Sequence, residues 1–187
     1  MGMPQPMAGW TVADVLQLPE DGKRYEVVDG ELLVTPAPSL LHQEAVQALH
    51  ERLKQFVDAH HLGRALVSPA DIEFDERTLV QPDLFVAPLI DGRRPRSWKD
   101  IRSLLLAVEV LSPSTARADR QIKRRRYQRH GVGEYWIVDL DARLVERWRP
   151  ADERPEILAD RLEWRPSGDV PPLEIDLPQF FTEALDD

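Results

Sequence analysis

The chain of 187 residues contains no cysteine, and this absence limits its chemistry from the start. Disulfides and thiolate-held metals are excluded, so any metal must be bound by Asp, Glu, His or carbonyl oxygen. The sequence also lacks an apolar run near about 18 residues, and its start, MGMPQPMAGW, lacks the basic and apolar regions of a signal peptide. These absences predict a soluble, cytoplasmic protein without a membrane partner.

Internal repeats and low-complexity tracts are absent as well. A hydrophobic content of 42% over this length is enough for a substantial core, which predicts a single domain over residues 1–187. We expect its core at about residues 23–150. Residues 151–187 are acidic and proline-rich and carry no chemical pattern, so they are expected to form a structural C-terminal extension.

The net charge of −9 argues against a general nucleic-acid binder, but the charge is unevenly distributed. Between Asp91 and Gly131, twelve arginines and lysines oppose four acids, so this segment carries +8 and the rest of the chain −17. Such asymmetry is typical of a polyanion-facing surface on an otherwise acidic protein.

The segment 104–115, LLLAVEVLSPST, predicts the most buried strand of the chain. Six of the seven residues from Leu104 to Val110 are aliphatic and do not alternate with polar ones, which is typical of a central strand covered on both faces. Glu109 would lose its hydration there unless a cation, a metal or hydrogen-bond donors met it. Alternatively, the strand ends early and Glu109 is solvated at its mouth.

In the N-terminal half, local signals predict a short helix, a hairpin and a long helix. Asp29-Gly30 suits a type I′ turn, because both positions accept positive φ. Ser39 can cap the long helix, whose apolar stripe is expected at positions 41, 45, 49, 53 and 56. The predicted elements are a helix at 12–18 capped by Thr11, strands at 24–28 and 31–35, and strands at 65–74 and 79–87 around the turn 75–77.

In the C-terminal half, a helix is predicted at residues 116–130, ended by Gly131. EYWIVDL and ARLVERWRP follow it as a hairpin. Short strands are expected around Ile157 and at 173–175, and an amphipathic helix at 178–185.

Two further residues are candidates for a cleft. Asp83 follows Pro82, which confines it to a strand start or edge, so its carboxylate can face a cleft, although it could also be a turn acid. His42 lies in the first turn of the long helix, where a histidine is more often a local hydrogen-bonding residue than a ligand.

The predicted helix at 116–130 carries six arginines and one acid, Asp119. Asp119, Lys123 and Tyr127 are spaced four apart and share one face. The helix is either an ordinary solvated helix or a binding surface, because the mutual repulsion of its arginines is relieved only if acids elsewhere or phosphates approach.

Together these residues resemble the PD-(D/E)xK nuclease superfamily, and more narrowly the Uma family of restriction-endonuclease-like proteins. The resemblance spans roughly residues 10–150 and is specific as a combination. The motifs that carry it are Tyr25-Glu26, Asp29 to Leu32, Pro36 to His42, Gln81-Pro82-Asp83, Glu109 to Ser114, Asp119, Lys123, Tyr127, Gly131-Val132 and Glu134-Tyr135-Trp136.

The resemblance implies an α/β fold of the α+β type with a mixed sheet: an αβββαβ core, an N-terminal hairpin and a C-terminal β/α extension. It implies that Asp83, Glu109 and the carbonyl of Val110 hold Mg²⁺ or Mn²⁺. The lysine expected two residues after Glu109 is replaced by Leu111, and Lys123 resembles the migrated lysine of some superfamily members. Glu31 and His42 are second candidates for the same cleft, and the expected backbone-binding residues are Arg117, Arg120, Arg124 and Arg125.

Three functions are compatible with these features. The first is metal-dependent endonucleolytic hydrolysis of DNA. The second is nucleic-acid binding without catalysis, which the absence of a lysine at position 111 favours. The third is an interaction module, in which the arginine-rich helix docks on an acidic surface of a second copy and forms a homodimer.

Overall fold

The structure is a computed structural model that describes residues 9–185. Residues 1–8, which carry most of the segment used for the signal-peptide prediction, and residues 186–187 lie outside the described part. None of the helices within residues 9–185 combines the length and the apolar character needed to cross a bilayer.

The helices and strands of the described residues have the following bounds. The helices are α1 (Val12–Val15), α2 (Leu40–Ala59), α3 (Arg124–His130) and α4 (Leu177–Leu185). A 3₁₀ turn lies at Trp98–Asp100, and a π-helix at Ala118–Lys123 runs directly into α3. The strands are β1 (Arg24–Val28), β2 (Glu31–Thr35), β3 (Gly63–Val67), β4 (Ile72–Asp75), β5 (Thr78–Val80), β6 (Leu84–Pro88), β7 (Leu106–Val110), β8 (Glu134–Asp139), β9 (Leu144–Trp148), β10 (Glu156–Leu158), β11 (Arg161–Trp164) and β12 (Leu173–Asp176).

The main sheet has the strand order β10-β9-β8-β7-β6-β3, with β7 near its centre. Only β7 and β8 pair in parallel among its described strands, because the π-helix and α3 carry the chain back between them. A second sheet has the order β2-β1-β5-β4, and β11 pairs with β12. Along the chain, α2, β3, β6, β7, α3 and β8 follow the expected αβββαβ order, with β4 and β5 inserted.

The two faces of the main sheet bury different partners. One face packs against α2, α4 and the β11–β12 pair, and it carries Val108 and Val110 of β7. The other face packs against residues from β1, α3 and the loop before β7, and it carries Ala107. Because strand side chains alternate, Glu109 shares the face of Ala107, toward α3.

Several sequence predictions are confirmed. The structure is an α+β fold with a mixed sheet, and the hairpin has the predicted bounds, with positive φ at both Asp29 (52°) and Gly30 (85°). All five residues of β7 are buried, so Glu109 does not lie in solvent at a strand mouth. Ser39 caps α2, and Gly131, with φ of 75°, ends α3.

Other predictions are corrected. The two long strands at 65–74 and 79–87 are four short ones, because Pro69 and Pro82 interrupt each run. In the stripe of α2, Leu41 is 46% exposed and His42 is buried instead. The first helix is shorter than predicted, and β11 was not predicted at all.

Gly133 provides a test of the close approach between the start of β8 and the chain before β7. A Cβ at this position would lie 2.6 Å from the backbone oxygen of Leu105, which is itself fixed by the amide of Glu134. We expect Gly133→Ala to lower the free energy of unfolding by about 1–3 kcal/mol, the usual cost of overpacking. Gly168→Ala is the matched control, because its added methyl group meets nothing within 4 Å. Urea unfolding midpoints that coincide for the two variants would contradict this packing.

Candidate active site

Asp83 and Glu109 lie next to each other at the same end of two neighbouring interior strands of the main sheet. Asp83 immediately precedes β6 and Glu109 lies near the end of β7, and these strands are antiparallel, with Leu84 opposite Val108. The amide of Val110 donates to Asp83 Oδ2 over 2.9 Å. The antiparallel register therefore brings together two acids that are 26 residues apart in the sequence.

Both carboxylate oxygens of Asp83 have polar partners. Arg24 donates to Oδ1 over 2.7 Å, and His42 Nε2 lies 3.1 Å from Oδ2. Burial acts to raise the pKa of Asp83, but the hydrogen bond from His42 and the charge of Arg24 outweigh it and hold the pKa well below its usual range. Asp83 is therefore ionised at neutral pH.

Lys123 lies among the other acids. Its ammonium nitrogen is 2.9 Å from Glu109 Oε1, 2.8 Å from Glu26 Oε2 and 3.7 Å from Asp119 Oδ1. Its side chain is only 3% exposed. Burial acts to lower the pKa of Lys123, but the surrounding carboxylates raise it well above its usual value, so the lysine stays charged.

Tyr127 completes the environment of Glu109 by donating to Oε1 over 3.2 Å. Asp119, Lys123 and Tyr127 are all buried, which confirms the prediction that they share one face. Burial raises the pKa of Glu109 well above its usual value, and it raises the pKa of Asp119 to about 6. Both donors to Glu109 use Oε1, so Oε2 is the oxygen that it could present to a cation.

Glu26 and Arg24 contact the predicted site residues but were not themselves predicted from the sequence. They lie two positions apart on β1, so strand alternation directs both side chains to the same face. Glu26 is fully buried, and its Oε1 accepts from the amide of Gln81 over 2.7 Å. An acid within the apolar hairpin strand RYEVV, in a motif that carried the family resemblance, was the available signal.

The buried acidic cluster defined by these contacts contains Glu26, Asp83, Glu109 and Asp119. Lys123 and Arg24 are the cations in contact with it. With all four acids ionised, the cluster would hold two more negative charges than these cations offset. A divalent cation or bound protons can supply that difference.

The donor chemistry suits a hard divalent cation such as Mg²⁺, which prefers carboxylate oxygens. The other ring nitrogen of His42, Nδ1, is buried without a hydrogen-bond partner in the described part of the chain. Within residues 9–185, however, no three Asp, Glu or His side chains converge tightly enough to hold a metal ion. The residues thus fit a metal in type and charge, provided that Asp83 gives up one of its present partners.

A cleft of about 880 Å³ opens beside the buried cluster. Arg24, His42 and Arg120 line it, together with Leu111 and the Ser112–Ser114 turn. Leu111 therefore lies where a lysine two residues after Glu109 would enter the cleft. Lys123 instead reaches Glu109 from the helix that follows.

The predicted backbone-binding arginines point in different directions. Arg120 lines the cleft and pairs with Asp139 and Glu146, whereas Arg124 lies over the ring of Trp148 at 4.6 Å. Acids elsewhere in the chain thus relieve part of the repulsion that the sequence predicted. Arg117 and Arg125 are exposed.

Glu31 is not brought to the cleft. It lines a separate cavity of about 710 Å³ with Asp29, Arg125 and Arg129. Arg129 also pairs with Asp29, and Arg126 pairs with Asp29 and Asp75. His42, the other second candidate, lies in contact with Asp83 as described above.

The buried position of Lys123 makes a stability prediction. Lys123→Met would leave Glu109 and Glu26 buried without their cation, and we expect a loss of about 3–5 kcal/mol in the free energy of unfolding. Lys54→Met is the matched control, since Lys54 forms an exposed pair with Asp58 one turn along α2. That exposed pair is expected to contribute less than about 1 kcal/mol. Chemical denaturation that gives equal losses for both variants would contradict the buried network.

The chain is similar to known proteins in its sequence and in its fold. A search of curated proteins finds no match. A solved structure of a putative nuclease belonging to DUF820 from Anabaena variabilis matches with a TM-score of 0.75 and 17% identity, covering 94% of this chain and 99% of that one. At this identity the match shows the fold alone. The family model described as Uma2, putative restriction endonuclease, matches residues 12–181, and the chain therefore belongs to the Uma2 family.

Proposed function

We propose that this protein is a metal-dependent endonuclease that hydrolyses phosphodiester bonds of DNA. The observation that carries the proposal is the contact between Lys123 and Glu109, 2.9 Å apart, beside Asp83. Two carboxylates and a lysine are the residue types that the superfamily pattern requires. Here the lysine that contacts Glu109 comes from the helix after β7, and the leucine at position 111 therefore does not deprive this group of a lysine.

Asp83, Glu109 and the carbonyl of Val110 would hold the divalent cation. When bound, Mg²⁺ or Mn²⁺ supplies Lewis-acid activation of water and of the scissile phosphate. The net negative charge of the buried acidic cluster favours such a cation over an anion. The Asp83 carboxylate could bind the cation once its contact with His42 or with Arg24 is broken.

The chain's own groups position the reaction. Lys123 fixes Glu109 through Oε1 and offsets negative charge that develops beside it. Arg24 and Arg120 line the cleft and can bind phosphate oxygens without reading bases. Tyr127 adds a second donor to Glu109, so the orientation of this carboxylate is set from two sides.

A second candidate is nucleic-acid binding without catalysis. It is favoured by the state of Asp83, whose oxygens are both engaged by Arg24, His42 and the amide of Val110. In that case Arg24 and Lys123 act as permanent cations in place of a metal. Measurements of cleavage and of metal binding separate the two candidates.

Cleavage is tested with supercoiled plasmid in the presence of Mg²⁺ or Mn²⁺. We expect the wild type to nick the plasmid and EDTA to stop it, and we expect Glu109→Gln to lower the rate by about 10²-fold or more. The glutamine retains an acceptor for Lys123, and the raised pKa of Glu109 indicates that a neutral side chain is tolerated there. Glu44→Gln, an exposed change on α2, is the control and should cleave normally. Equal rates for the two variants would assign the nicking to a contaminant.

Metal binding is tested by isothermal titration with Mn²⁺. If Asp83 and Glu109 share one cation, Asp83→Asn and Glu109→Gln should each abolish binding, since each removes one of the two charged ligands. Glu44→Gln should bind Mn²⁺ like the wild type. An affinity that is unchanged in both site variants would disprove the shared site and favour binding without catalysis.

A further inference from the structure

The loop between β6 and β7 carries a concentration of positive charge that the proposed active site does not use. We call residues 91–102 the basic loop. It contains five cations and two acids, a local net charge of +3 in a chain of net charge −9. Its cations, all exposed, are Arg93, Arg94, Arg96, Lys99 and Arg102.

The basic loop lies at the opposite end of the main sheet from the buried acidic cluster. Asp83 precedes β6, whereas the loop follows its last residue, Pro88, and leads to the start of β7 at Leu106. A strand of five residues spans roughly 16 Å at the usual rise per residue. The loop is therefore a surface separate from the catalytic cleft.

Several contacts hold this loop in one conformation. Pro95 and Ile101 are buried, and Ile90 forms a backbone bridge with Arg93. Ser97 and Asp100 form a capping box around the 3₁₀ turn. Cations presented by an ordered loop lose less conformational freedom on binding than cations on a mobile one.

Few of the cations are neutralised by the protein itself. Arg94 pairs with Asp58, and Asp100 accepts from the amides of Arg96 and Ser97. Within residues 9–185, the side chains of Arg93, Arg96, Lys99 and Arg102 form no ion pair. This contrasts with the arginine-rich helix, where Arg120, Arg126 and Arg129 all pair with acids of the chain.

An aromatic side chain lies among these charges. The ring of Trp98 is 43% exposed and meets Phe85 edge-on, with the ring centroids 6.4 Å apart. Trp98, Arg96 and Arg64 line a cavity of about 510 Å³, and Arg64 is anchored there by donating to the carbonyl of Pro95 over 3.0 Å. Exposed aromatic rings beside arginines are the usual platform for the stacking of unpaired bases.

We infer that the basic loop is a binding site for single-stranded nucleic acid, whose phosphates contact Arg93, Arg96 and Lys99 while a base stacks on Trp98. The site takes no part in hydrolysis. It shares its class of partner with the proposed function but not its residues, its metal or its end of the sheet.

The test measures fluorescence anisotropy of a labelled single-stranded 20-mer oligonucleotide at several salt concentrations, in EDTA so that no cleavage occurs. Replacing Arg93, Arg96 and Lys99 together with Gln should flatten the slope of log affinity against log salt by about two units, because each phosphate that is no longer neutralised lowers the slope by about 0.7. Trp98→Ala should weaken binding by about fivefold or more with little change in slope, the effect of removing one stacked base.

The matched control replaces Arg154, Arg161 and Arg165 with Gln, which removes the same charge from exposed positions of the C-terminal region. This control should bind like the wild type apart from a small uniform loss. If the loop and control triples have the same affinity and salt slope, the inference is wrong, whatever the plasmid assay shows. It is equally wrong if Trp98→Ala dissociates a dimer in sedimentation measurements while oligonucleotide binding is unchanged, because the surface is then an interface between two copies.

Discussion

The contacts of Lys123 with Glu109 and Glu26 connect the main parts of this structure. Glu109 belongs to the main sheet, Glu26 to the second sheet, and Lys123 to the π-helix that leads into α3. Desolvation of such a network is costly, and an apolar replacement of similar volume is often as stable. A need for stability alone does not account for such a buried network, which supports the proposed chemistry at the cleft.

The charges of the chain serve two different purposes. Arg120, Arg126 and Arg129 pair with acids of the β1–β2 turn, β4, β8 and β9. These ion pairs connect the π-helix and α3 to the two sheets. The buried acidic cluster, when all four of its acids are ionised, holds more negative charge than Lys123 and Arg24 offset. The wall of the cleft carries charges of both signs, because Arg24, Arg120 and Arg143 lie there together with Asp139 and Asp141.

The main sheet also separates two surfaces. The ends of β6 and β7 at Asp83 and Val110 open toward the cleft, and their other ends lead into the basic loop. A sheet of buried strands holds these surfaces at a fixed distance. The single basic segment of the sequence, from Asp91 to Gly131, thus lies partly in the basic loop before β7 and partly in the π-helix and α3 after it.

The sequence by itself determined the elements whose signals are local. The Asp29-Gly30 turn specifies its hairpin because few residues accept positive φ twice in succession, and the aliphatic run of β7 specifies a covered strand. Motif resemblance then singled out Asp83, Glu109 and Lys123, which the fold brings together. The same motif also showed that Leu111 stands where the superfamily pattern has a lysine.

Only the tertiary structure decided which distant groups meet. Arg24 reaches Asp83 across 59 residues and Glu26 reaches Lys123 across nearly a hundred, and neither contact leaves a local pattern. The same holds for His42, which is buried where Leu41 was expected, and for Glu31, which lies in another cavity. Local propensity sets where strands and helices form, but the partner of a charged side chain depends on how those elements pack, and that is a property of the whole chain.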